Sequence, residues 1–125
     1  MGYFEVNQKS GWRWNTAKAF LRPTCYGRPN FEMWTSAQAS KLILETQADG
    51  SQRCTGVLVW DGHEMVTARA TGEVILSAGA VNSPQLLQLS GIGPAALLRQ
   101  HHVEVKVDLP GVGANLQDHL QIRAV

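Results

Sequence analysis

The sequence predicts a mixed α and β fold (α+β or α/β), with an antiparallel β-meander over about residues 39–70 and a strand–turn–helix unit over residues 74–89. Two Asp-Gly pairs between strand-forming runs predict the meander, because glycine accepts the positive φ that tight turns need. A short apolar run, a bend of small residues and a stretch headed by Ser-Pro predict the second unit.

The N-terminal part of the chain has no sustained hydrophobic period. Residues 1–30 are therefore predicted to be irregular, with one short helix near residues 16–22. Asn15 or Thr16 suits the N-cap of this helix. Pro23 is expected to end it, because proline has no N–H to donate.

The rest of the chain, residues 31–125, is expected to be part of one domain that begins with strands. Alternating apolar and polar residues or short apolar runs predict these strands at residues 31–35, 39–46, 54–60 and 64–70. Asp49-Gly50 and Asp61-Gly62 are the turn signals between the last three.

The pattern changes after the meander. Val74-Ile75-Leu76 is predicted to be a strand covered on both faces, because its apolar run is unbroken. Ser83 suits an N-cap and Pro84 the first helical position, so the helix is expected to begin there and to end at Ser90-Gly91. Further predictions are a helix over residues 94–100, a half-buried strand over 103–107 and an irregular loop over 109–116.

Composition excludes several classes of protein. With a net charge of +1 over 125 residues, the chain lacks a strong charge-driven attraction to nucleic acid or to anionic lipid. It also lacks an apolar run near the ~18 residues of a membrane span. Cys25 and Cys54 are expected to be unpaired thiols in a reducing compartment, which favours a cytoplasmic location. The histidines share no metal-ligand spacing, so no metal site is expected; they are His63, His101, His102 and His119.

The bend between the strand and the helix of the second unit is the most informative candidate site. A strand that ends in small residues lets a ligand approach the backbone, and a helix N-terminus attracts a phosphate or another anion. The same small residues also permit tight helix–sheet packing, so both interpretations stay open. The strings Gly91-Ile92-Gly93 and Gly111-Val112-Gly113 lack the strand-before, helix-after context of a dinucleotide fingerprint.

Other chemistry-bearing residues are weaker signals. Asp118-His119 is either an acid–imidazole pair or an aspartate that caps the loop. Trp12-Arg13-Trp14 either stacks on a ligand or forms a half-buried segment that covers a partner surface. No serine lies in a Gly-x-Ser-x-Gly elbow, so an acyl-transfer nucleophile has no support.

Three stretches resemble the glucose–methanol–choline (GMC) flavin oxidoreductases, in that family's order and spacing. Residues 79–93, Gly-Ala-Val-Asn-Ser-Pro-Gln-Leu-Leu-Gln-Leu-Ser-Gly-Ile-Gly, resemble its second sequence signature. Residues 110–119 resemble the family's Gly-x-Asn-Leu-x-Asp-His string, and residues 11–17 resemble the stretch before its meander. Choline dehydrogenases and related alcohol dehydrogenases are the most similar branch.

The resemblance implies FAD as cofactor and a partial Rossmann-like FAD-binding domain. It implies oxidation of an alcohol, choline-like or another primary alcohol, by hydride transfer to the flavin. It places Ala39 near the adenine, residues 78–83 at the FAD-side turn, and residues 115–119 in a loop near the flavin. The cofactor-proximal residues are then Ala39, Ala78, Gly79, Ala80, Asn82, Ser83, Asn115, Leu116, Asp118 and His119.

The resemblance also implies that this chain is a middle segment of a longer enzyme. The family's Gly-x-Gly-x-x-Gly unit is expected before Met1, and its catalytic histidine after Val125. No catalytic residue is therefore expected here, and the isolated chain is expected to be inactive, to bind FAD weakly or not at all, and to be marginally stable or self-associating.

Peripheral membrane association is left open for the parent enzyme. The alternatives are a non-catalytic binding or assembly module that keeps part of the fold, and an unrelated domain that binds an anion at the Ser83 helix terminus.

Overall fold

The structure is a computed structural model, and it describes residues 6–118. The chain divides into two compact units, unit 1 over residues 1–34 and unit 2 over residues 35–125. Both cysteines, Cys25 and Cys54, are free thiols. None of the helices in the described residues has the length and apolar character needed to cross a bilayer.

Unit 1 begins with a hairpin of two antiparallel strands, β1 (Gln8–Lys9) and β2 (Trp12–Arg13). The two turn residues have positive φ, 52° at Ser10 and 77° at Gly11, which suits the twist of a two-residue hairpin. A π-helical turn (Ala17–Leu21) and the short helix α1 (Arg22–Thr24) follow.

One expectation for the helix of unit 1 is wrong. Pro23 does not end the helix, which continues to Thr24. The π-helical turn before it pairs the Arg22 N–H with the Ala17 carbonyl, and this wider turn accommodates the missing proline donor.

The stretch 31–35 is not a strand, although its residues alternate. Its local contacts favour turns instead. The Phe31 N–H donates to the Arg28 carbonyl at 3.2 Å, and the Phe31 ring stacks on Tyr26 with 6.0 Å between centroids. Alternation leads to a strand only where a second strand is available to pair, and this stretch pairs with none of the strands in the described residues.

Unit 2 opens with the predicted meander, which the structure confirms. Its strands β3 (Gln38–Thr46), β4 (Gln52–Trp60) and β5 (Met65–Arg69) pair antiparallel in chain order. Both predicted turn glycines have positive φ, 84° at Gly50 and 103° at Gly62. The β3–β4 register shifts between Ala39 and Lys41 and again between Ile43 and Leu44.

The segment over residues 74–76 differs from its prediction. It runs into the next helix through Ser77 and Ala78 as expected, but it pairs with none of the strands in the described residues. Ile75 is 81% exposed rather than covered on both faces. A strand forms only as part of a hydrogen-bonded ladder, so an apolar run without a partner strand remains outside the sheet.

Helix α2 (Gly79–Leu89) begins earlier than predicted, so Pro84 lies inside the helix and Ser83 is not its N-cap. An N-cap serine would accept a bond from an N–H two or three residues further along the chain. The Ser83 Oγ instead accepts a hydrogen bond from the Ala78 N–H at 2.9 Å. Ala78 lies five residues earlier, at the N-cap position, so a serine inside the helix bonds to the residue that precedes the first turn. The C-terminal end is as predicted, with Ser90 as C-cap and Gly91 at φ 89°.

Three short elements complete unit 2: β6 (Ile92–Gly93), α3 (Ala95–Gln100) and β7 (Val107–Asp108). Strands β6 and β7 pair in parallel. The predicted strand over residues 103–107 keeps its alternation of half-buried and exposed residues but joins a ladder only from Val107. Residues 109–116 form turns without regular structure, as predicted.

The core of unit 2 lies where α2 packs beside β3 and α3. In the described part of this unit, four hydrophobic side chains are buried, Leu42 on β3, Val59 on β4, Leu86 on α2 and Leu98 on α3, together with the side chain of Ser90. The Ser90 Oγ accepts the Leu42 N–H at 2.8 Å and donates to the Leu86 carbonyl at 2.6 Å. This hydroxyl therefore ties the outer edge of β3 to the last turn of α2.

Candidate functional site

A groove runs between the N-terminal end of β3 and helix α2, and we call it the β3–α2 groove. Its volume is about 440 Å³. Its wall includes three residues that the sequence assigned to a cofactor site, Ala39, Ala78 and Asn82. The remaining lining residues are Ala37, Gln38, Ser40, Gln85, Leu86 and Leu89. Chain segments separated by some forty residues thus meet at one concave surface.

Small side chains keep this groove open. Ala37 and Ala39 line the strand side, and Ala78 lines the helix side. Gly79 follows at φ 94°, and a Cβ placed there would find no atom within 4 Å. Because alanine and glycine leave the backbone accessible, a planar or phosphate-bearing ligand can approach the start of α2 closely.

A second concave surface, the α2–loop groove, lies between α2 and the loop over residues 109–116. Its volume is about 460 Å³. Two predicted residues, Ala80 and Leu116, lie in its wall. The other lining residues are Val81, Pro84, Gln85, Gln88, Leu97, Gly113 and Ala114. Gln85 lines both grooves, so the two surfaces share this helix.

Four predicted residues within the described range line neither groove: Gly79, Ser83, Asn115 and Asp118. Ser83 makes the internal bond to the Ala78 N–H, and Gly79 forms the bend at the start of the helix. Asn115 is exposed at φ 57°, a left-handed conformation that asparagine tolerates. Asp118 is exposed at the end of the described residues, and His119 lies outside them.

Sequence reasoning missed several groove residues. Gln38 and Ser40 flank Ala39 on β3, and Gln85 follows Pro84 on α2. Gln85 stands within the Gly79–Gly93 string, so the motif itself contained the signal for it. No comparable signal existed for Gln38 or Ser40, which flank Ala39 on β3 but stand outside the three stretches that resemble the family.

Neither groove carries a formal charge on the described residues that line it. The acids with lowered pKa lie elsewhere, in turns and at the exposed Glu104. N–H groups of Glu64 and His63 lower the pKa of Asp61, bonds from Ser51 lower that of Asp49, and Lys106 lowers that of Glu104. The grooves therefore offer contacts and backbone dipoles to a ligand, but no general acid or base.

The aromatic and basic cluster of unit 1 lies on its own cleft of about 570 Å³. Arg13 and Trp14 line this cleft, whereas Trp12 is 73% exposed. The Lys9 Nζ lies 5.0 Å from the centre of the Trp14 ring, a cation–π contact within the unit itself. The Trp14 ring, one of those considered for stacking on a ligand, thus already has a cationic partner in Lys9.

Uncharged grooves around the N-terminal half of a helix, walled by small residues, are the kind of surface that a nucleotide cofactor uses. Comparison with known proteins identifies the family. The family model described as GMC oxidoreductase matches residues 1–121. The chain belongs to the GMC oxidoreductase family.

Curated relatives agree with this assignment. The chain is 46% identical over 124 residues to an alcohol dehydrogenase [acceptor] of Pseudomonas putida, covering 98% of this chain and 21% of the relative. It is 46% identical over 121 residues to an oxygen-dependent choline dehydrogenase of Brucella anthropi, covering 97% of this chain and 21% of that protein. The chain thus spans about a fifth of the length of these relatives.

Two solved structures are similar in fold and sequence. An FAD-dependent oxidoreductase from Chaetomium thermophilum has a TM-score of 0.61 and 34% identity, with 68% of this chain and 14% of that chain covered. A formate oxidase has a TM-score of 0.51 and 38% identity, with 58% and 12% covered. The family, the mixed fold of a partial Rossmann-like FAD-binding domain, and FAD as the family's cofactor are confirmed.

The two grooves fit part of such a cofactor. Each is open rather than enclosed, and together their lining residues on α2 extend from Ala80 to Leu89. An extended dinucleotide needs several such surfaces in sequence and backbone N–H groups near its phosphates. The first N–H groups of a helix have no acceptor within it, and those of α2 begin at the Gly79 bend.

Proposed function

We propose that this chain forms one wall of the FAD cleft in an enzyme that oxidises a primary alcohol, choline or a similar compound. The single observation that carries the proposal is the meeting of Ala39, Ala78 and Asn82 at the β3–α2 groove. The family assignment and the alcohol and choline dehydrogenases among the relatives support the reaction class.

The proposed cofactor contacts divide by position along α2 and its neighbours. Ala39 is proposed to approach the adenine. The FAD-side turn is assigned to Ala78, Gly79, Ala80, Asn82 and Ser83. Asn115 and Leu116 are assigned to the flavin side, with Asp118 and with His119, which lies outside the described residues. In this arrangement the small residues leave space for the cofactor. Of the residues assigned to the FAD-side turn, Ala78 and Asn82 line the β3–α2 groove, and Asn82 supplies a polar amide group there.

The chemistry of the reaction explains why no catalytic residue is assigned here. Bound FAD would supply the acceptor for the hydride that leaves the alcohol carbon. The alcohol must also lose its hydroxyl proton to a base, and the grooves contain no titratable side chain in their described walls. The isolated chain is therefore proposed to be catalytically inactive.

The experiment is a chimera. In the Pseudomonas putida alcohol dehydrogenase, the stretch that this chain matches is replaced by the 125 residues. The purified chimera is mixed without oxygen with choline, with a primary alcohol, or with a tertiary alcohol that has no hydride to give. We expect flavin absorbance to bleach with choline or the primary alcohol and to persist with the tertiary alcohol.

The isolated 125-residue chain is the matched control, and it is expected to oxidise none of these alcohols. A folded chimera that holds flavin but fails to bleach with any alcohol would contradict the proposed reaction. A chimera that folds and takes up no flavin would favour the alternative, a non-catalytic module that keeps part of the fold. Circular dichroism of the chimera against the parent enzyme establishes that it has folded.

A further inference from the structure

We propose that Gln88 is a positioning residue, which holds the loop over residues 109–116 against α2 and so places Leu116 in the wall of the α2–loop groove. The inference concerns how the chain shapes the groove, and its consequence for FAD rests on the proposed function. Gln88 itself is not assigned a contact with the cofactor.

The first observation is a hydrogen bond between distant parts of the chain. The Gln88 Nε2 donates to the Val112 carbonyl at 3.1 Å, across 24 residues of sequence, in a half-buried position. A side-chain amide in this place satisfies a loop carbonyl that has no strand or helix partner. The bond therefore joins the third turn of α2 to the middle of the glycine-containing loop.

The second observation is that two glycines leave room for this side chain. A Cβ on Gly93 would lie 3.0 Å from the Gln88 Cγ. A Cβ on Gly113 would lie 2.9 Å from the Gln88 Nε2, and Gly113 also has φ 79°. The Gln88 side chain thus lies close to two backbone segments, and each segment has a glycine at the point of approach.

The third observation is that the two ends of the loop are held differently. At its start, the Leu109 N–H donates to the Gly93 carbonyl at 3.0 Å, and the Asp108 Oδ1 accepts the Ala95 N–H at 2.9 Å. These bonds fix the loop entry without Gln88. Beyond it, Gly113, Ala114 and Leu116 line the groove, and Leu116 remains 67% exposed. Gln88 contacts the loop just before these residues, so it determines where they lie.

Hydrogen exchange in the full 125-residue chain tests this inference without any cofactor. Gln88→Met keeps most of the volume and removes the donor, and Gln100→Met makes the same change on the exposed end of α3. The reporters are the N–H groups of Val112 and Ala114, which donate within the loop at 3.1 and 3.2 Å. We expect about five- to tenfold faster exchange at both in Gln88→Met, as for loss of one hydrogen bond. Exchange at Leu109 should not change.

A uniform increase in exchange over the whole chain, or no increase in the loop, would overturn the positioning role. The consequence for the cofactor is measured in the chimera, where Gln88→Met should raise the FAD dissociation constant about fivefold or more and Gln100→Met should not. An unchanged dissociation constant would overturn that consequence. A wild-type chimera without flavin would contradict the proposed function instead, and the exchange data would still decide the role of Gln88.

Discussion

Among single residues, Ser90 has the most buried polar side chain, with 2% of its surface exposed. Its hydroxyl accepts from the Leu42 N–H and donates to the Leu86 carbonyl. Leu42 already pairs with Val57 in β4 through the same ladder, so the bond to Ser90 satisfies the other edge of β3. One hydroxyl therefore links the meander to the helix that carries both grooves.

We predict that Ser90→Ala destabilises the chain by about 1–3 kcal/mol, because the buried Leu42 N–H loses its acceptor. Ser77→Ala, at an exposed position, is the matched control and should change stability by less than about 0.5 kcal/mol. Urea unfolding followed by circular dichroism measures both. Equal stability of the two variants would contradict the role assigned to this hydroxyl.

Asp61 shows how a single carboxylate stabilises a turn. Its Oδ1 accepts the N–H groups of Glu64 at 2.9 Å and His63 at 2.8 Å, and these bonds lower its pKa. A depressed folded-state pKa gives stability that is present above the unfolded pKa of about 3.9 and is lost as pH falls through the lower folded value. The turn is therefore predicted to weaken only in acid.

The measurement is a carboxyl NMR titration of Asp61 in the folded chain, with the same residue in urea as reference. We expect the folded midpoint to lie below the unfolded one. Asp61→Asn should remove the acid-dependent change in the amide shifts of His63 and Glu64. Coincident midpoints in the two states would show that the turn does not depend on this charge.

Among the elements, the central strand β4 approaches its neighbour β5 very closely at Gly56. A Cβ on Gly56 would lie 2.5 Å from the Ala68 carbonyl oxygen of β5, and backbone cannot move aside as a flexible side chain can. Gly72, in the chain that follows β5, has no atom within 4 Å of such a Cβ. Comparing alanine substitutions at Gly56 and Gly72 therefore separates the steric effect of the added Cβ from the general effect of replacing a glycine.

Gly56→Ala is predicted to destabilise unit 2 by about 1–3 kcal/mol, because the β4–β5 ladder must shift. Gly72→Ala should be neutral or slightly stabilising, since it restricts the unfolded chain. Thermal melts followed at a β-sheet wavelength compare the two. If Gly56→Ala melts with the wild-type chain, the close approach of the two strands is not a constraint.

The elements also show what can be predicted from sequence. The meander was predictable because its turn glycines and strand patterns are local signals. The start of α2 was not, because the Ser83 hydroxyl bonds backwards to Ala78 instead of capping the turn that Pro84 begins. Residues 74–76 have a strand composition but no ladder, and composition contains no information about whether a partner strand is present.

The residues of the candidate site also divide into some that the sequence identified and some that it did not. The motif over residues 79–93 identified Ala80 and Asn82, which line the grooves, and the resemblance identified Ala39. Gln38 and Ser40 could not be identified, because they stand outside the three stretches that resemble the family, and only the packing of β3 beside α2 brings them to the groove. Gln88 was also missed, because its significance depends on Gly93 and Gly113, which are distant from each other in sequence.

For the molecule as a whole, the buried core is small. Four hydrophobic side chains are buried in the described residues, whereas Ile75, Val81, Leu89 and Leu116 are exposed around α2. A stable domain of this length buries far more of its apolar surface. Exposed apolar surface of this kind favours association.

We therefore predict that the isolated chain self-associates at micromolar concentration. Light scattering after size-exclusion chromatography measures the mass, and Ile75→Ser with Leu116→Ser should shift it toward the monomer. Trp12→Ser in unit 1 is the control for removal of an exposed apolar side chain elsewhere. A wild-type chain that stays monomeric at micromolar concentration would contradict this prediction.

The central claim is that the β3–α2 groove receives FAD, and closing the groove tests it most directly. Ala78→Leu fills the groove from the helix side, whereas Ala96→Leu adds the same atoms at an exposed position of α3 outside both grooves. The FAD dissociation constant of the chimera is measured by flavin fluorescence for each variant. We predict a rise of tenfold or more for Ala78→Leu and no change for Ala96→Leu; equal FAD affinity in both variants would contradict the claim.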